Sequence, residues 1–438
     1  MKNEQERAEV ETAELEVDGK PTRLTLEEPA AGDRGINISR LRSETGLVTY
    51  DPGLANTASC RSTITYLDGE NGVLTHRGYA IEDLAANCVF LEVALLLITG
   101  TLPNREERRH FTQLMNKNSM LHEGMIQFFD NYPENSHPMA ILSAMVVSLS
   151  SFYPEIARLN GDMPLDETVT NLLSKMRTIA AFSYKKSIGE PFVYPSHKLY
   201  YCENFLNMMF SSPVADYQID PVVEATLNKF LILHADHEQN ASTTVVRGVG
   251  SSGTNLYASV AAGISSLWGP LHGGANQAVI GMLEDIRDSG KSVAQVVLQA
   301  KDRTNPFRLM GFGHRVYKTY DPRARIAKQT CRDLLTHLGV SSDPLLDIAM
   351  ELEETALADD YFREKKLYPN VDFYTGITYR AMGIPTNMFT VMFALGRLPG
   401  WIAHWLEMHN DPEQKLVRPR QIYVGQKPRP FVPIEERG

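Results

Sequence analysis

The sequence predicts a mainly α-helical fold preceded by a small N-terminal β region. The chain of 438 residues is 43% apolar, which is enough to bury a large core and to form two domains. From about Ile81 onward, apolar residues recur every three or four positions, as they do on one face of a helix. Before residue 75 they alternate around Gly turns, which indicates strands.

Strands are predicted at residues 15–21 and 61–66, because both stretches alternate beside a turn that contains Gly. The helices that follow are bounded by Gly, Pro or a capping residue. The segment 344–362 carries Leu and Ile along one stripe and Glu opposite, so it is an amphipathic helix. The other predicted helices are 79–97, 106–129, 138–152, 166–186, 221–237, 255–268, 275–286, 322–338 and 385–405.

Charge and cysteine pattern exclude several classes of protein. The formal net charge of −10 argues against nucleic acid as the main partner. The four cysteines are scattered without a C-x-x-C pair, so neither zinc nor a disulfide framework is indicated, and free thiols suit a reducing cytoplasm. The first 16 residues are Glu-rich without an apolar run, and no fully apolar run of 18 residues follows. We therefore expect a soluble cytoplasmic protein that does not bind a membrane.

One uncharged stretch contains the first candidate for chemistry. Between Arg247 and Glu284 no residue carries a fixed charge, so we expect this stretch to lie largely away from water. Within it, a turn rich in Gly and Pro places His272 before the helix predicted at 275–286. The positive end of the helix dipole disfavours imidazolium, so a neutral N–H of His272 can stabilise a developing enolate oxygen. A core histidine with satisfied hydrogen bonds is the alternative.

Two further motifs raise the question of a cofactor or a metal. The stretch 248–253 matches G-x-G-x-x-G, but no acidic residue follows about 20 positions later and no βαβ pattern surrounds it. A glycine-rich entry into a helix is favoured over a dinucleotide site. His234 and His237 have a spacing that allows a shared metal, yet no third ligand is near in sequence. Hydrogen bonding to an anionic substrate is favoured, and no metal site is predicted.

Three more segments supply a base and positive charge. Asp372 has apolar and aromatic neighbours, which raise the pKa and the basicity of a carboxylate, although a helix N-cap is the alternative. In the Gly-Phe-Gly-His stretch 311–314 the glycines let the backbone approach a ligand closely, and Lys318 and Arg323 add positive charge. A solvated basic surface is the alternative interpretation of this segment. Arg397 lies in an apolar helix, where a buried arginine needs an anionic partner.

Together these residues fit proton abstraction beside a carbonyl, followed by attack of the enolate on an acceptor held by arginines. A dinucleotide-binding regulatory protein built on the glycines at 248–253 is the alternative from another class.

At these residues the chain closely resembles citrate synthase, and specifically the longer, hexameric bacterial branch. The resemblance runs from about Asp51 to Tyr423. It implies condensation of acetyl-CoA with oxaloacetate to citrate and CoA, the first step of the tricarboxylic acid cycle, by an acyltransferase. The alternative in the same site is 2-methylcitrate synthase, which uses propionyl-CoA. The motifs that carry the resemblance are Asp51-Pro-Gly, Thr57-Ala-Ser-Cys60, His76-Arg-Gly78, Ser136-His-Pro-Met139, 205–210, 234–240, 268–276, 310–323 and 368–376.

The resemblance also implies a role for each candidate residue. Asp372 would take a methyl proton from acetyl-CoA, His272 would donate to the thioester enolate, and His314 would polarise the ketone of oxaloacetate and protonate it. Citryl-CoA would then be hydrolysed, with no metal or cofactor. The residues implied for the oxaloacetate carboxylates are His237, Arg323, Arg397 and, from a partner subunit, Arg418; those implied for CoA are Met310, Gly311, Phe312, Gly313, Lys318 and Lys365.

The implied architecture has three parts: an N-terminal strand region 1–75, a large helical domain 76–275 with 386–438, and a small helical domain 276–385. The small domain would close over oxaloacetate and exclude water. A homodimer would be the minimal unit and a homohexamer the assembly. Family members inhibited by NADH carry Arg-His-Thr-Met where this chain has Lys117-Asn-Ser-Met120, and Val214 stands where the family has a reactive thiol. Both departures argue against allosteric inhibition by NADH.

Overall fold

The computed structural model describes residues 11–154, 165–302, 304, 307–340 and 343–437. They form two units: the described residues of Met1–Arg61 with Val417–Gly438, and Ser62–Leu416. The second unit contains nearly all of the helices. The domain boundaries predicted at residues 75, 275 and 385 stay predictions.

The strands form two small antiparallel sheets, as expected for the N-terminal region. In the first, β1 and β2 are a hairpin around Asp18-Gly19, with Thr12 opposite Thr25, and β3 adds to β2. In the second, β5 lies between β4 and β6, with Thr65 opposite His76. The stretch predicted at 15–21 is the turn of the first hairpin, and the one predicted at 61–66 begins four residues too early. The strands are β1 Thr12–Val17, β2 Lys20–Glu27, β3 Gly35–Ile36, β4 Thr65–Asp68, β5 Val73–His76 and β6 Tyr79–Ala80.

Helices make up most of the rest, which confirms the mainly α class. They are α1 Leu41–Thr45, α2 Ile81–Asn87, α3 Phe90–Thr99, α4 Arg105–Lys117, α5 Glu123–Asp130, α6 Pro138–Phe152, α7 Leu165–Ser187, α8 Tyr201–Phe210, α9 Pro221–His234, α10 Ala241–Gly250, α11 Leu256–Leu267, α12 Ala275–Ser289, α13 Val293–Lys301, α14 Pro322–His337, α15 Pro344–Ala358, α16 Asp360–Glu364, α17 Asp372–Ala381 and α18 Phe389–Asn410, with single 3₁₀ turns at Thr386–Met388 and Ile434–Glu436.

Three of the predicted helices are each two helices. The stretch predicted at 344–362 divides at Asp359, and tertiary contacts interrupt the other two. The stretch predicted at 79–97 breaks at Val89, which is extended, and Asn228 accepts the hydrogen bond of the Phe90 N–H at 2.8 Å. The stretch predicted at 106–129 breaks after residue 117, where the Lys175 ammonium donates hydrogen bonds to the carbonyls of Asn118 and Met120 at 2.7 and 2.8 Å. A side chain from elsewhere, half-buried in Asn228 and buried in Lys175, thus satisfies backbone groups that a continuous helix would have used.

The core of the second unit is built around α18, which is buried along almost all of its 22 residues. The helices α3, α9, α10 and α11 pack against it, and α6 packs on α11. On the other side, α14 and α12 pack on α17, which carries Asp372. None of the helices described here has both the length and the apolar character that a bilayer span requires.

Candidate functional site

The end of α9 lies directly against α18 because two glycines of α18 leave room for it. A Cβ on Gly400 would lie 2.4 Å from the Asp236 carboxylate, and the Gly400 N–H donates to the Ala235 carbonyl at 3.1 Å. This close approach lets Arg397, one turn earlier on α18, donate from Nε to the His234 carbonyl at 2.7 Å. The histidine segment 234–237 and Arg397 are therefore held together by packing.

Two further segments are joined by backbone pairing. The Gly313 N–H donates to the Tyr368 carbonyl at 2.8 Å, and the Asn370 N–H donates to the Gly311 carbonyl at 2.9 Å. Gly311 has a φ of 79°, and a Cβ there would lie 2.7 Å from the Val279 side chain, so this position requires glycine. The pairing brings the segment of His314 alongside the segment of Asp372, which are 58 residues apart in sequence.

A buried ion pair links the same two segments. Asp321 accepts two hydrogen bonds from the Arg323 side chain, at 3.1 Å from Nε and 2.9 Å from Nη2. The same carboxylate accepts the Val371 N–H at 3.2 Å, one residue before Asp372. Both members of the pair are buried. Asp321 thus orients the Arg323 guanidinium and also tethers the start of α17 to it.

His314 is a neutral donor. Its Nδ1 accepts the N–H groups of Val316 and Tyr317 at 3.0 and 3.2 Å, so the neutral ring carries its proton on Nε2. Burial lowers the pKa of His314 to about 4, and the Arg323 charge acts in the same direction. At neutral pH, Nε2 therefore offers a hydrogen bond and does not carry a positive charge.

His272 is also neutral, but its free donor is the other ring nitrogen. The backbone N–H of Ser242 donates to Nε2 at 3.1 Å, and the Ser242 hydroxyl lies 2.9 Å from the same nitrogen. The neutral ring therefore carries its proton on Nδ1. Burial, followed by the Arg397 charge, lowers the pKa of His272 to about 4. The neutrality expected from a helix dipole is present, but burial is its main cause.

Ser242 is a site residue that the sequence analysis missed. Its hydroxyl accepts from the Trp401 indole N–H at 3.1 Å and lies 2.8 Å from Asn240 Oδ1. Because it is 30 residues away from His272, no spacing signal connects the two. Only the packing of α10 and α18 against the 268–274 turn places it there. The uncharged stretch is also less buried than expected, since Leu271 in that turn is 97% exposed.

His237 belongs to the segment that packs against Arg397, and its ring also contacts the segment of His314. Its ring centroid is 5.1 Å from that of His314 and 5.6 Å from that of Tyr317. Burial, and then the charge of Arg323, hold the pKa of His237 well below its usual range. Its buried Nε2 has no hydrogen-bond partner among the residues described, so the atom is available to a ligand.

Asp372 has the properties of a base. It is the first residue of α17, its Oδ1 is out of contact with solvent, and within the described ranges this oxygen has no hydrogen-bond partner. Burial raises the pKa of Asp372 to about 6, although Arg323 and Arg397 act against that shift. Val371 occupies the N-cap position, and no side chain caps this helix. The alternative that Asp372 is a helix cap is therefore wrong.

Arg397 is a buried cation that keeps one hydrogen-bond donor unpaired within the described part of the chain. It is 1% exposed, its guanidinium lies 5.0 Å from the centre of the Phe393 ring, and its Nη1 lacks a partner in the part of the chain that the structure describes. Burial lowers the pKa of Arg397 to about 10, so it is charged at neutral pH. A buried arginine at this position was predicted to need an anionic partner, and Nη1 is the donor that such a partner would accept from.

Two more buried groups stand near Arg397 that sequence reasoning did not assign. Asp236 is fully buried, and its Oδ2 lies 3.3 Å from His404 Nε2. His76, from β5, bonds to the Thr65 hydroxyl at 2.9 Å, and its pKa falls to about 4, chiefly through burial. The charge of Asp236 favours the cationic form of Arg397 and therefore balances it electrostatically. The motif His76-Arg-Gly78 stood out in the sequence, but nothing in it indicated that His76 bonds to Thr65.

The arrangement can perform one kind of chemistry well. It combines one carboxylate of raised pKa, two neutral imidazole N–H donors and two buried guanidiniums around unfilled hydrogen-bonding positions. Such a set can remove a proton next to a carbonyl, stabilise the enolate and orient a small dicarboxylate. Among the described residues, no group of three or more His, Cys, Asp or Glu side chains is arranged to hold a metal ion.

Comparison with known proteins agrees with this chemistry. Residues 53–420 match the family described as "Citrate synthase, C-terminal domain". Citrate synthase 1 of Mycobacterium tuberculosis is 52% identical over 427 residues, covering 98% of this chain and 99% of the relative. The chain belongs to the citrate synthase family. It is accordingly an acyltransferase that condenses acetyl-CoA with oxaloacetate to citrate and CoA, and 2-methylcitrate synthase is not favoured.

Solved structures of citrate synthases share the fold. The enzyme from Pyrobaculum aerophilum has a TM-score of 0.79 at 36% identity and covers 88% of this chain and 95% of its own. The enzyme from Thermoplasma acidophilum has a TM-score of 0.80 at 32% identity, covering 89% of this chain and all of its own. That second structure is a ternary complex with carboxymethyl coenzyme A and oxaloacetate.

The remaining residues implied by the citrate synthase resemblance fall in two places. The backbone of Met310–Gly313 is held by residues 368–370, and the exposed ammonium groups of Lys318 and Lys365 contact the Arg315 carbonyl and the Tyr361 hydroxyl at 3.3 and 3.0 Å. Arg418 belongs to the other unit, where it lines a surface pocket of about 640 Å³ with Arg42 and Arg420. The role of Arg418 toward oxaloacetate stays a prediction.

The glycine motif 248–253 is not a dinucleotide site. Residues 242–246, which could be taken for a strand, belong to α10, and the glycines occupy the last turn of that helix and the loop after it. A phosphate-binding motif needs a strand before the glycines and a helix N-terminus after them. The prediction of a glycine-rich helix entry is also wrong, because the stretch is a helix exit.

The buried histidines predict how stability depends on pH. In the unfolded chain they titrate near 6.5, whereas burial lowers the pKa to about 4 in His76, His272 and His314 and to about 3 in His234. Between about pH 6.5 and about pH 4 the unfolded state binds more protons, so the stabilisation present at neutral pH is lost on acidification. The carboxyls of Asp372, Glu224 and Glu238, whose pKa values burial raises, oppose this trend but are fewer than the buried histidines. We expect a lower midpoint of urea-induced unfolding at about pH 5 than at about pH 7.5. Equal midpoints at the two pH values would contradict this dependence of stability on the buried histidines.

Proposed function

We propose that the condensation takes place in this cluster, with Asp372 as base and His272 and His314 as neutral hydrogen-bond donors. The observation that carries the proposal is a set of buried polar atoms from three segments that have no partner within the described chain: His237 Nε2, Asp372 Oδ1 and Arg397 Nη1. Burying polar groups without partners is costly, so such atoms are expected where a substrate completes the hydrogen bonds.

The first step is formation of the enolate. The Asp372 carboxylate takes a proton from the methyl group of acetyl-CoA, and the Nδ1–H of His272 donates to the thioester oxygen as negative charge develops there. Ser242 keeps His272 in this tautomer because its backbone N–H occupies Nε2. With a pKa raised to about 6, Asp372 is ionised at neutral pH and is a stronger base than an exposed carboxylate.

The second step forms the carbon–carbon bond. The enolate carbon attacks the ketone carbon of oxaloacetate, and His314 transfers its Nε2 proton to the ketone oxygen. The proton that Asp372 took from the methyl group then restores the neutral ring of His314, so both side chains return to their starting states. His237, Arg323 and Arg397 hold the carboxylates of oxaloacetate, with Arg418 contributed by a partner subunit. Water then cleaves the thioester of citryl-CoA and releases the CoA thiol and citrate. The groups of the chain suffice for these steps, so we propose no resident cofactor.

The CoA moiety would lie on the backbone of Met310–Gly313, with Lys318 and Lys365 at its phosphates. The ternary complex of the Thermoplasma acidophilum enzyme with carboxymethyl coenzyme A and oxaloacetate supports this pair of substrates. We further propose a cytoplasmic homodimer as the minimal unit and a homohexamer as the assembly, since the chain resembles the hexameric branch, in which Arg418 would come from a partner subunit.

The test of the reaction is release of the CoA thiol in the presence of oxaloacetate. We expect rapid release with acetyl-CoA and slower release with propionyl-CoA, because an additional methylene must be accommodated in a packed site; one methylene is worth about 1–3 kcal/mol. Omitting oxaloacetate is the control and should abolish release with both thioesters. A clear preference for propionyl-CoA would contradict the assignment of acetyl-CoA.

A further inference from the structure

A second polar cluster lies behind the site, centred on Glu353 in the middle of α15. The carboxylate is 3% exposed and accepts the Tyr320 hydroxyl at 2.6 Å on Oε1. On Oε2 it accepts the Tyr374 hydroxyl and the Lys328 ammonium, the latter at 2.6 Å. Lys328 neutralises the charge, and the two phenols complete the hydrogen bonds, so the burial of this carboxylate is compensated.

The two tyrosines belong to the segments that carry the chemistry. Tyr320 immediately precedes Asp321, which orients Arg323, and Tyr374 follows Asp372 by two residues on α17. Two residues along a helix correspond to a rotation of about 200°, so Tyr374 points away from the side on which Asp372 lies. One carboxylate on α15 thus contacts both segments, and it contacts α17 from the side opposite to Asp372.

The start of α17 is consequently held from two directions. On the substrate side, Asp321 accepts the Val371 N–H at 3.2 Å. On the far side, Glu353 holds the Tyr374 hydroxyl, which is buried. Hydrogen bonds to a charged acceptor are about twice as strong as those between neutral groups, and a buried network of them restricts the relative positions of its members.

We propose that Glu353 is a positioning residue of the reaction, which keeps Asp372 and Arg323 in register through Tyr374 and Tyr320. This inference rests on the function proposed for Asp372 and Arg323. The Tyr374 contact positions the base against the methyl group of acetyl-CoA. The Tyr320 contact positions the guanidinium that holds oxaloacetate.

The experiment separates the two contacts. Tyr374→Phe removes only the hydroxyl on the side of the base, and Tyr320→Phe removes only the hydroxyl on the side of Arg323. Tyr257→Phe is the matched control, because it removes a buried hydroxyl of α11 that lacks a partner among the residues described. For each variant, kcat, the KM for oxaloacetate and the Tm are measured.

A misplacement of about 1 Å can cost about 100-fold in rate, so loss of one restraint should cost less. We expect Tyr374→Phe to lower kcat about 10-fold with little change in the KM for oxaloacetate. Tyr320→Phe should raise that KM about 10-fold with little change in kcat, and Tyr257→Phe should leave both parameters unchanged. If Tyr374→Phe fails to fold, the KM for oxaloacetate of Tyr320→Phe, which changes a half-buried residue, tests the inference by itself.

The inference is overturned if both variants lower only the Tm and match Tyr257→Phe in kcat and KM, since Glu353 would then be purely structural. Its failure is distinguishable from failure of the proposed function. An inactive Asp372→Asn enzyme together with unaffected tyrosine variants refutes only the role of Glu353. An active Asp372→Asn enzyme refutes the role of the base.

Discussion

Replacing Asp372 by asparagine should lower turnover at least about 100-fold while oxaloacetate binding is retained. The amide is nearly isosteric but cannot take the methyl proton. Arg323 and Arg397, which act on this carboxylate electrostatically, keep their contacts with Asp321 and with the His234 carbonyl. The measurements are kcat in the thiol-release assay and the Kd of oxaloacetate by calorimetry.

Two further results test this assignment of the base. Asp360→Asn, which removes an exposed carboxylate paired with Arg363 at the surface, is the control and should leave kcat unchanged. In the unmodified enzyme, kcat/KM for acetyl-CoA should fall as the pH drops through about 6, because protonated Asp372 is no longer a base. Near-normal turnover of Asp372→Asn would exclude Asp372 as the base.

Replacing Arg397 by methionine should raise the KM for oxaloacetate at least about 30-fold, since removing one partner of a buried charge pair costs about 2–5 kcal/mol. The methionine fills much of the same volume but leaves the substrate carboxylate without its cation. Oxaloacetate should also raise the Tm of the unmodified protein much more than that of the variant, because a ligand stabilises only the state that it binds.

The control for this substitution is Arg287→Met, which removes an exposed arginine paired with its neighbour Asp288. It should change neither the KM nor the thermal shift. Because Arg397 also balances the buried Asp236 charge, its loss should lower the Tm of the free protein, and each thermal shift is therefore taken from the Tm of the same protein without oxaloacetate. An unchanged KM in Arg397→Met would show that the guanidinium does not hold oxaloacetate.

The sequence contained enough information for the helices and for most residues of the candidate site. Helices such as α6 and α14 are bounded by local signals, a Pro in the first turn and a capping His or Asp, and these operate within a few residues. The residue types at 272, 314, 372 and 397 were visible because a lone histidine, carboxylate or arginine in an apolar setting is unusual.

Long-range contacts were decided by the tertiary structure. The break at Val89 depends on Asn228, and the tautomer of His272 depends on Ser242, 30 residues away. The raised pKa of Asp372 arises from burial between α12, α14 and α17, which no single segment specifies. Local patterns report hydrophobicity and backbone preference, whereas proton positions and unfilled hydrogen bonds are set by groups that meet only in the packed fold.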